Sequence, residues 1–210
     1  MRSRSLSRLL ALGALLPWLA APPLPAARPY RIAGLERDDK GKWVPAEVLR
    51  QSRDGVTAEI KFLDPDARRA VVRAALGGEG NVFPGRAGEK APGFLVFVLQ
   101  LANGSRHDVT FNPGQARLTT EKGDMKFALD YSAVHELTRG LGEGSPGMDD
   151  LSAILFDRVV TIRPEGSVRK LLAFPAPRED RYKEIQVRIV ELNVGSDGID
   201  LIFPFRKVSP

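Results

Sequence analysis

The sequence predicts a mainly β protein, an antiparallel β-sandwich with a short N-terminal helix and a helical insertion between strands. The strongest signal is Phe94–Ala102, which is apolar on both faces apart from Gln100 and is therefore typical of a central, doubly covered strand. Eight short strand patterns follow one another between Phe94 and the C-terminus. Glycine, proline and asparagine turns separate them at regular intervals, which favours a sandwich over a parallel α/β fold.

The first part of the mature chain, residues 28–93, is predicted to be a β extension followed by a short helix and a loop. Strand patterns cover Trp43–Leu49 and Val56–Leu63, and each is preceded by turn residues. Asp64 is then suited to cap a helix, because proline follows it at the first helical position. We therefore predict a helix over Pro65–Leu76, ended by two glycines.

The second part, residues 94–210, carries the predicted sandwich. Its strand patterns are Phe94–Ala102, Val109–Phe111, Gln115–Thr120, Met125–Tyr131, Arg158–Arg163, Val168–Phe174, Ile185–Val194 and Ile199–Arg206. Two helical patterns, Ser132–Arg139 and Met148–Phe156, form an insertion between the fourth and fifth of these strands. Strand number and spacing favour an antiparallel immunoglobulin-like β-sandwich, and residues 28–210 are expected to form one compact unit.

Side-chain alternation predicts which residues of two strands share a face. In the predicted strand Met125–Tyr131 the residues Met125, Phe127, Leu129 and Tyr131 share one apolar face. In the last strand Leu201, Phe203 and Phe205 are expected to face inward. Pro204 has no N–H to donate, so this strand should lie at a sheet edge or turn its position 204 away from the ladder.

The first 27 residues have the layout of a secretory signal peptide. Arg2, Arg4 and Arg8 form a basic region, an apolar stretch follows, and small residues between Ala20 and Ala27 offer the cleavage site. We therefore expect an exported protein, periplasmic or extracellular, without an integral membrane segment in its mature part. The absence of cysteine excludes both disulfides and a lipid-modified cysteine. Residues 28–210 carry 28 basic and 26 acidic residues, which argues against a nucleic-acid partner.

Several turns of the second part resemble a known family. The relevant segments are Phe94–Leu101 running into Asn103-Gly104-Ser105, then Lys122-Gly123-Asp124, and Arg163-Pro164-Glu165-Gly166-Ser167 leading to Leu171–Pro175. Together they resemble the immunoglobulin-like domain of uncharacterised exported bacterial proteins, over about Phe94 to Arg206. The resemblance implies a fold and an exported location, and it implies no catalytic residue.

Catalytic motifs are incomplete in this chain. His135-Glu136 begins like the helix of a zinc protease, but Arg139 stands where the second histidine ligand is needed. Ser145 lies in Gly144-Ser145-Pro146-Gly147, but Glu143 stands where a serine nucleophile elbow needs its first glycine, and Pro146 follows the serine. These observations favour a non-enzymatic binding or structural module without a cofactor, whose partner is a protein or a glycan. A hydrolase with an unrecognised site is the third hypothesis.

The second hypothesis is a periplasmic copper-handling protein. His107, Met125, His135 and Met148 are both histidines and both methionines of the mature chain, and they fall within 42 consecutive residues. Imidazole and thioether groups are suitable ligands for Cu(I). The alternative for Met125 is an ordinary place on the apolar face of its strand.

The signal-peptide interpretation predicts the effect of reversing the charge of its basic region. The triple variant Arg2→Glu, Arg4→Glu and Arg8→Glu should accumulate as precursor inside the cell, because a basic region directs export. Fractionation and immunoblotting of the full chain measure this. Normal secretion of the variant would contradict the interpretation.

Overall fold

The structure is a computed structural model and describes residues 31–76, 83, 93–138, 148–177 and 182–208. Its strands are β1 Arg31–Arg37, β2 Trp43–Ala46, β3 Leu49–Arg53, β4 Val56–Leu63, β5 Phe94–Asn103, β6 Val109–Phe111, β7 Arg117–Thr120, β8 Met125–Phe127, β9 Val160–Ile162, β10 Ser167–Pro175, β11 Glu184–Val194 and β12 Asp197–Val208. Its helices are α1 Pro65–Leu76, α2 Tyr131–Thr138 and α3 Met148–Ile154, with a 3₁₀ turn at Pro113–Gln115.

Two antiparallel sheets form the sandwich. One, sheet A, has the order β2-β1-β12-β11-β6-β9, with β7 also pairing β11 and β8 pairing β7. The other, sheet B, has the order β10-β5-β4-β3. The three strands β4, β5 and β10 pair like A, B and E of an immunoglobulin domain, while β6/β7, β11 and β12 pair like C, F and G. The predicted mainly β sandwich is confirmed. Residues 31–63 contribute to both sheets, because β1 and β2 belong to sheet A and β3 and β4 belong to sheet B.

Strand β5 is the centre of sheet B and is covered on both faces, as predicted. Its inward residues, such as Phe97 and Leu99, join the core between the two sheets. Its outward residues, such as Val96 and Val98, join a second apolar cluster with Val72 of α1 and other residues of the helices. The molecule therefore has three layers: sheet A, sheet B and a layer of helices over sheet B.

Local capping chemistry fixes the helices of the outer layer. Asp64 Oδ1 accepts the backbone N–H of Ala67 at 2.8 Å and of Asp66 at 3.0 Å, which satisfies donors of the first turn of α1. Helix α1 has the predicted bounds. Asp130 Oδ1 accepts the N–H of Ala133 at 2.7 Å and begins α2 in the same way. The insertion is thus helical, as predicted, and it packs on sheet B.

Asn103 joins the two sheets where β5 ends. Its Nδ2 donates to the carbonyl of Ile162 in β9 and to the carbonyl of His107, both at 2.8 Å. Its Oδ1 accepts from the backbone N–H and hydroxyl of Ser105. Its backbone N–H donates to Gly166. Asn103 is 1% exposed, and its bond to Ile162 is buried, whereas its bonds to His107 and Ser105 are partly buried.

The prediction for Met125–Tyr131 is wrong. Only Met125–Phe127 is a strand, Met125 and Phe127 are exposed, and Tyr131 begins α2. The register places Lys126 opposite the buried Leu118, so Lys126 lies on the inner face of the sheet. Met125 and Phe127, on either side of it, lie on the outer face. After Phe127 the chain crosses to sheet B, where the N–H of Leu129 donates to Ala173.

The predicted strand Trp43–Leu49 is two strands. Its first half, β2, pairs with β1 in sheet A, and Leu49 begins β3, which pairs with β4 in sheet B. Trp43 is exposed and stacks against Arg37, whose guanidinium carbon lies 4.7 Å from the ring centre. The change of sheet within one apolar stretch explains why the two strands look continuous in the sequence.

Strand β12 is not a sheet edge, because it lies between β1 and β11. The other predicted possibility for Pro204 fits the structure. The side chain of Gln51 hydrogen-bonds both backbone groups of Ile202, which therefore face away from β11. Alternate residues of a strand point their N–H groups to the same side, so the nitrogen of Pro204 also faces away from β11. Leu201, Phe203 and Phe205 are buried, as predicted.

Several predictions lie outside the described residues. They concern the signal peptide, its cleavage site between Ala20 and Ala27, the two glycines predicted to end α1, and most of the predicted loop that follows them. Among the helices that the structure describes, none is long and apolar enough to span a membrane.

The position of Leu99 predicts a large loss of stability when it is truncated. Leu99 is fully buried between Ile60 and Lys170 at the centre of sheet B. Leu99→Ala should lower the free energy of unfolding by about 2–5 kcal/mol, since it removes transferred apolar surface and leaves a cavity. Val159→Ala is the matched control, because Val159 is 57% exposed and should change stability by less than about 0.5 kcal/mol. Equal chemical denaturation midpoints for both variants would contradict the central place of β5.

The contacts of Asn103 predict that it is required for stability and not only for turn formation. Asn103→Ala leaves the carbonyl of Ile162 without its donor, at a cost of about 1–3 kcal/mol, while the carbonyl of His107 keeps the hydroxyl of Ser105. Asn103→Asp should be at least as harmful, because it points an oxygen at both carbonyls. Asn112→Ala is the control, since exposed Asn112 accepts only the N–H of Gly114. Aspartate is as good a turn residue as asparagine, so full stability of Asn103→Asp would show a turn role alone.

Candidate binding surface

The outer face of sheet A is built by strict alternation along its strands. In β11 the residues Ile185, Val187 and Ile189 are buried, while Gln186 and Arg188 between them are exposed. Helices of the described part cover the outer side of sheet B, not of sheet A. Sheet A thus presents a strand-built surface, which we call the β11 face. It comprises Thr119, Arg117, Gln186, Arg188, Met125, Phe127, Ile202 and Pro204.

The register arranges the β11 face in two cross-strand rows. One row runs Phe127, Arg117, Arg188, Ile202, and its neighbour runs Met125, Thr119, Gln186, Pro204. Apolar side chains stand at both ends of each row and polar ones in the middle. Phe127 is 48% exposed, Met125 44% and Ile202 37%. Large apolar side chains gathered on one exposed face are typical of an interaction surface.

Two arginines lie side by side at the centre of the first row. Arg117 and Arg188 are directly opposite each other on β7 and β11. The guanidinium carbon of Arg117 lies 5.6 Å from the centre of the Phe127 ring. Its Nε is buried and has no hydrogen-bond partner. Within the described part of the chain, neither arginine is within ion-pair distance of a carboxylate.

The carboxylates near this face have other partners. Glu184 pairs with Arg206, whose Nε donates to it at 3.0 Å. Asp200 Oδ1 accepts the backbone N–H of Glu191 at 3.0 Å, next to the bulge of β11. Asp124 pairs with Lys126 at 2.9 Å. Each of these carboxylates is thus engaged by a group other than Arg117 and Arg188.

Glu121 fastens the β7–β8 turn to the start of β11. Burial by itself would raise the pKa of Glu121, but its carboxylate accepts the backbone N–H groups of Lys183 at 2.6 Å and Glu184 at 3.0 Å. These bonds favour the charged form, so the net shift of the pKa is downward. Glu121 is therefore a structural acid that holds the base of the β11 face.

The predicted copper ligands do not form one site. Met125 is in register with Thr119 and Gln186 at one end of β11, whereas the ring of His107 packs on Gly195 beyond the other end. Nine residues of strand separate these positions, which is roughly 30 Å. His135 lies on α2, over sheet B, and Met148 opens α3. The side chain of Met148 is outside the described residues.

No group of three or more histidine, aspartate or glutamate side chains in the described part of the chain could hold a metal ion. The zinc-protease-like pair His135-Glu136 lies on the short helix α2. Arg139 and Ser145, on which the two catalytic comparisons depended, lie outside the described residues.

A cavity of about 460 Å³ opens where β1, β2 and β4 meet the start of α1. Arg31, Lys61, Glu47 and Asp64 are its charged lining residues. A hydrogen bond from Lys61, the charge of Lys61 and the charge of Arg31 lower the pKa of Glu47. Asp64 is already engaged as the cap of α1. Glu47, Lys61 and Asp64 of this cavity thus have structural partners.

Arg68 is a buried cation on the inner side of α1, whereas Arg69 and Arg73 of the same helix are exposed. Its guanidinium carbon lies 5.8 Å from the ring centre of Phe83. Burial lowers the pKa of Arg68, which the neighbouring charge of Asp64 opposes. Its contact with Phe83 makes it part of the packing beneath α1.

Comparison with known proteins gives a weak structural similarity to a solved structure. No family model matches this chain, and no curated protein matches it. The chain is similar to the crystal structure of the yjhA protein from Bacillus subtilis, with a TM-score of 0.42 and 9% sequence identity. The similarity covers 73% of this chain and 93% of that chain. The fold assignment therefore rests on the strand pairing described above, and the functional proposal that follows rests on the β11 face.

Proposed function

We propose that this protein is an exported, non-enzymatic binding module and that the β11 face is the surface it presents to a protein partner. The observation that carries the proposal is the exposure of Met125, Phe127 and Ile202 around an arginine pair, on a sheet face that none of the described helices covers. Interfaces between proteins are enriched in aromatic residues, methionine and arginine relative to other surface. The layout of residues 1–27 supports the exported part of the proposal.

The rigidity of the sandwich supports this use of the face. Beneath the β11 face, Leu118, Val187 and Leu201 are buried in the core between the sheets. A surface held by packed strands loses little conformational entropy when a partner binds, so more of the contact energy appears as affinity. A loop would lose more conformational entropy on binding, because the hydrogen bonds between strands do not hold its backbone.

Photo-crosslinking in the producing cells tests the location of the surface. A photoreactive phenylalanine analogue is placed at Phe127 or at Ile202 in the full chain. Leu137 on α2 and Val48, both similarly exposed, provide matched control positions. We expect discrete protein adducts from Phe127 and Ile202, in several-fold higher yield than from the controls. Absence of adducts at both test positions, or equal yields at all four, would contradict the proposal.

A further inference from the structure

We infer that the β11 face binds a protein segment whose carboxylate side chains stand between apolar side chains. The inference rests on the proposed function, because it names the chemistry of the partner for the same surface. Its basis is the central arginine pair together with the apolar residues at both ends of the rows.

The arginine pair is a charge arrangement that the described part of the protein does not neutralise. Side chains directly opposite on neighbouring antiparallel strands have their Cβ atoms about 4.5–5.5 Å apart, and like charges at such positions repel. The nearest acids hold other partners, as shown for Glu184 and Asp200. A carboxylate placed between Arg117 and Arg188 would replace this repulsion by two charge-assisted hydrogen bonds.

The contact with Phe127 orders one of the two guanidinium groups before binding. Arg117 lies over this ring, and its buried Nε makes no hydrogen bond. The stacked position restricts the rotamers of Arg117, so its ordering costs less when an acid binds. A guanidinium group presents paired N–H donors that match the two oxygens of a carboxylate.

The ends of the rows favour a protein segment over an acidic polysaccharide. The row from Phe127 to Ile202 spans four strands and therefore three strand spacings, a width of about 14 Å. Apolar side chains of a peptide can cover these ends while its acids reach the middle. The hydroxyl groups that surround the acids of a polysaccharide would lose water against Phe127, Met125 and Ile202 without gaining a hydrogen bond.

A peptide array provides the probe. Each peptide carries one or two Asp or Glu residues between apolar residues and is printed beside a counterpart in which every acid is replaced by its amide. The labelled full chain is applied at low and at high salt, and immobilised heparin serves as the acidic polysaccharide. We expect about tenfold higher retention on the best acidic peptides than on their amide counterparts. High salt should reduce that difference, since exposed charges are screened.

Variants connect the retention to the arginine pair. Arg117→Gln with Arg188→Gln should remove the preference for acids over amides. Arg163→Gln with Arg169→Gln should keep it, because Arg163 and Arg169 are exposed arginines of the β9–β10 region. Arg188→Glu should also abolish retention while its melting temperature stays the same or rises, since the new acid faces Arg117. This combination separates a binding role from a structural one.

Three outcomes would overturn the inference: equal retention of acids and amides, retention of heparin alone, or a preference that survives the double glutamine variant. The crosslinking experiment keeps these apart from failure of the proposed function. Adducts at Phe127 that persist in the double glutamine variant would leave the β11 face as a binding surface and remove its preference for acids. Absence of adducts in the unmodified chain would remove the surface itself.

Discussion

The hydrogen bonds of Asn103 hold together the end of the sandwich at which β5, β9 and the turn before β10 meet. The chain contains no cysteine, so no disulfide crosses the core. The sheets are joined instead by apolar packing, by this side chain, which bonds to Ile162 across the sandwich, and by Gln51 of β3, which bonds to Ile202 of β12. The Asn103 amide extends from sheet B and donates to a carbonyl of sheet A, so moving either sheet would leave this buried amide without that partner. The turn residues that resemble a family motif, Asn103 to Ser105, thus have a structural function.

The strand register determines which residues lie on the outer face of each sheet. Sheet B is apolar on its outer side and needs the helices α1, α2 and α3 as a cover. Sheet A alternates apolar and polar residues, so one side completes the core and the other faces solvent. The arginines at positions 117 and 188 come from strands that are distant in sequence, and only the pairing of β7 with β11 places them together. The candidate surface is therefore a consequence of the topology.

Local signals account for the parts that the sequence predicts correctly. The doubly apolar pattern of β5 and the Asp64-Pro65 start of α1 depend on neighbouring residues alone. The error at Met125–Tyr131 has a different origin. Alternation shows which residues share a face, but not which face the rest of the protein covers. Because β8 has only three residues and pairs only with β7 in the sheet, its apolar residues lie outward. The same error hid Met125 and Phe127 as members of a surface.

The charge distribution determines how such a surface can act. Residues 28–210 carry a net charge of only +2, so the molecule as a whole exerts little long-range attraction on an acidic partner. The field of the pair Arg117 and Arg188 is screened beyond about 10 Å at ordinary ionic strength. Its effect is therefore limited to contact distance. In the proposed complex the arginine pair would determine which segment is accepted, while the apolar residues at the ends of the rows would supply the contact area.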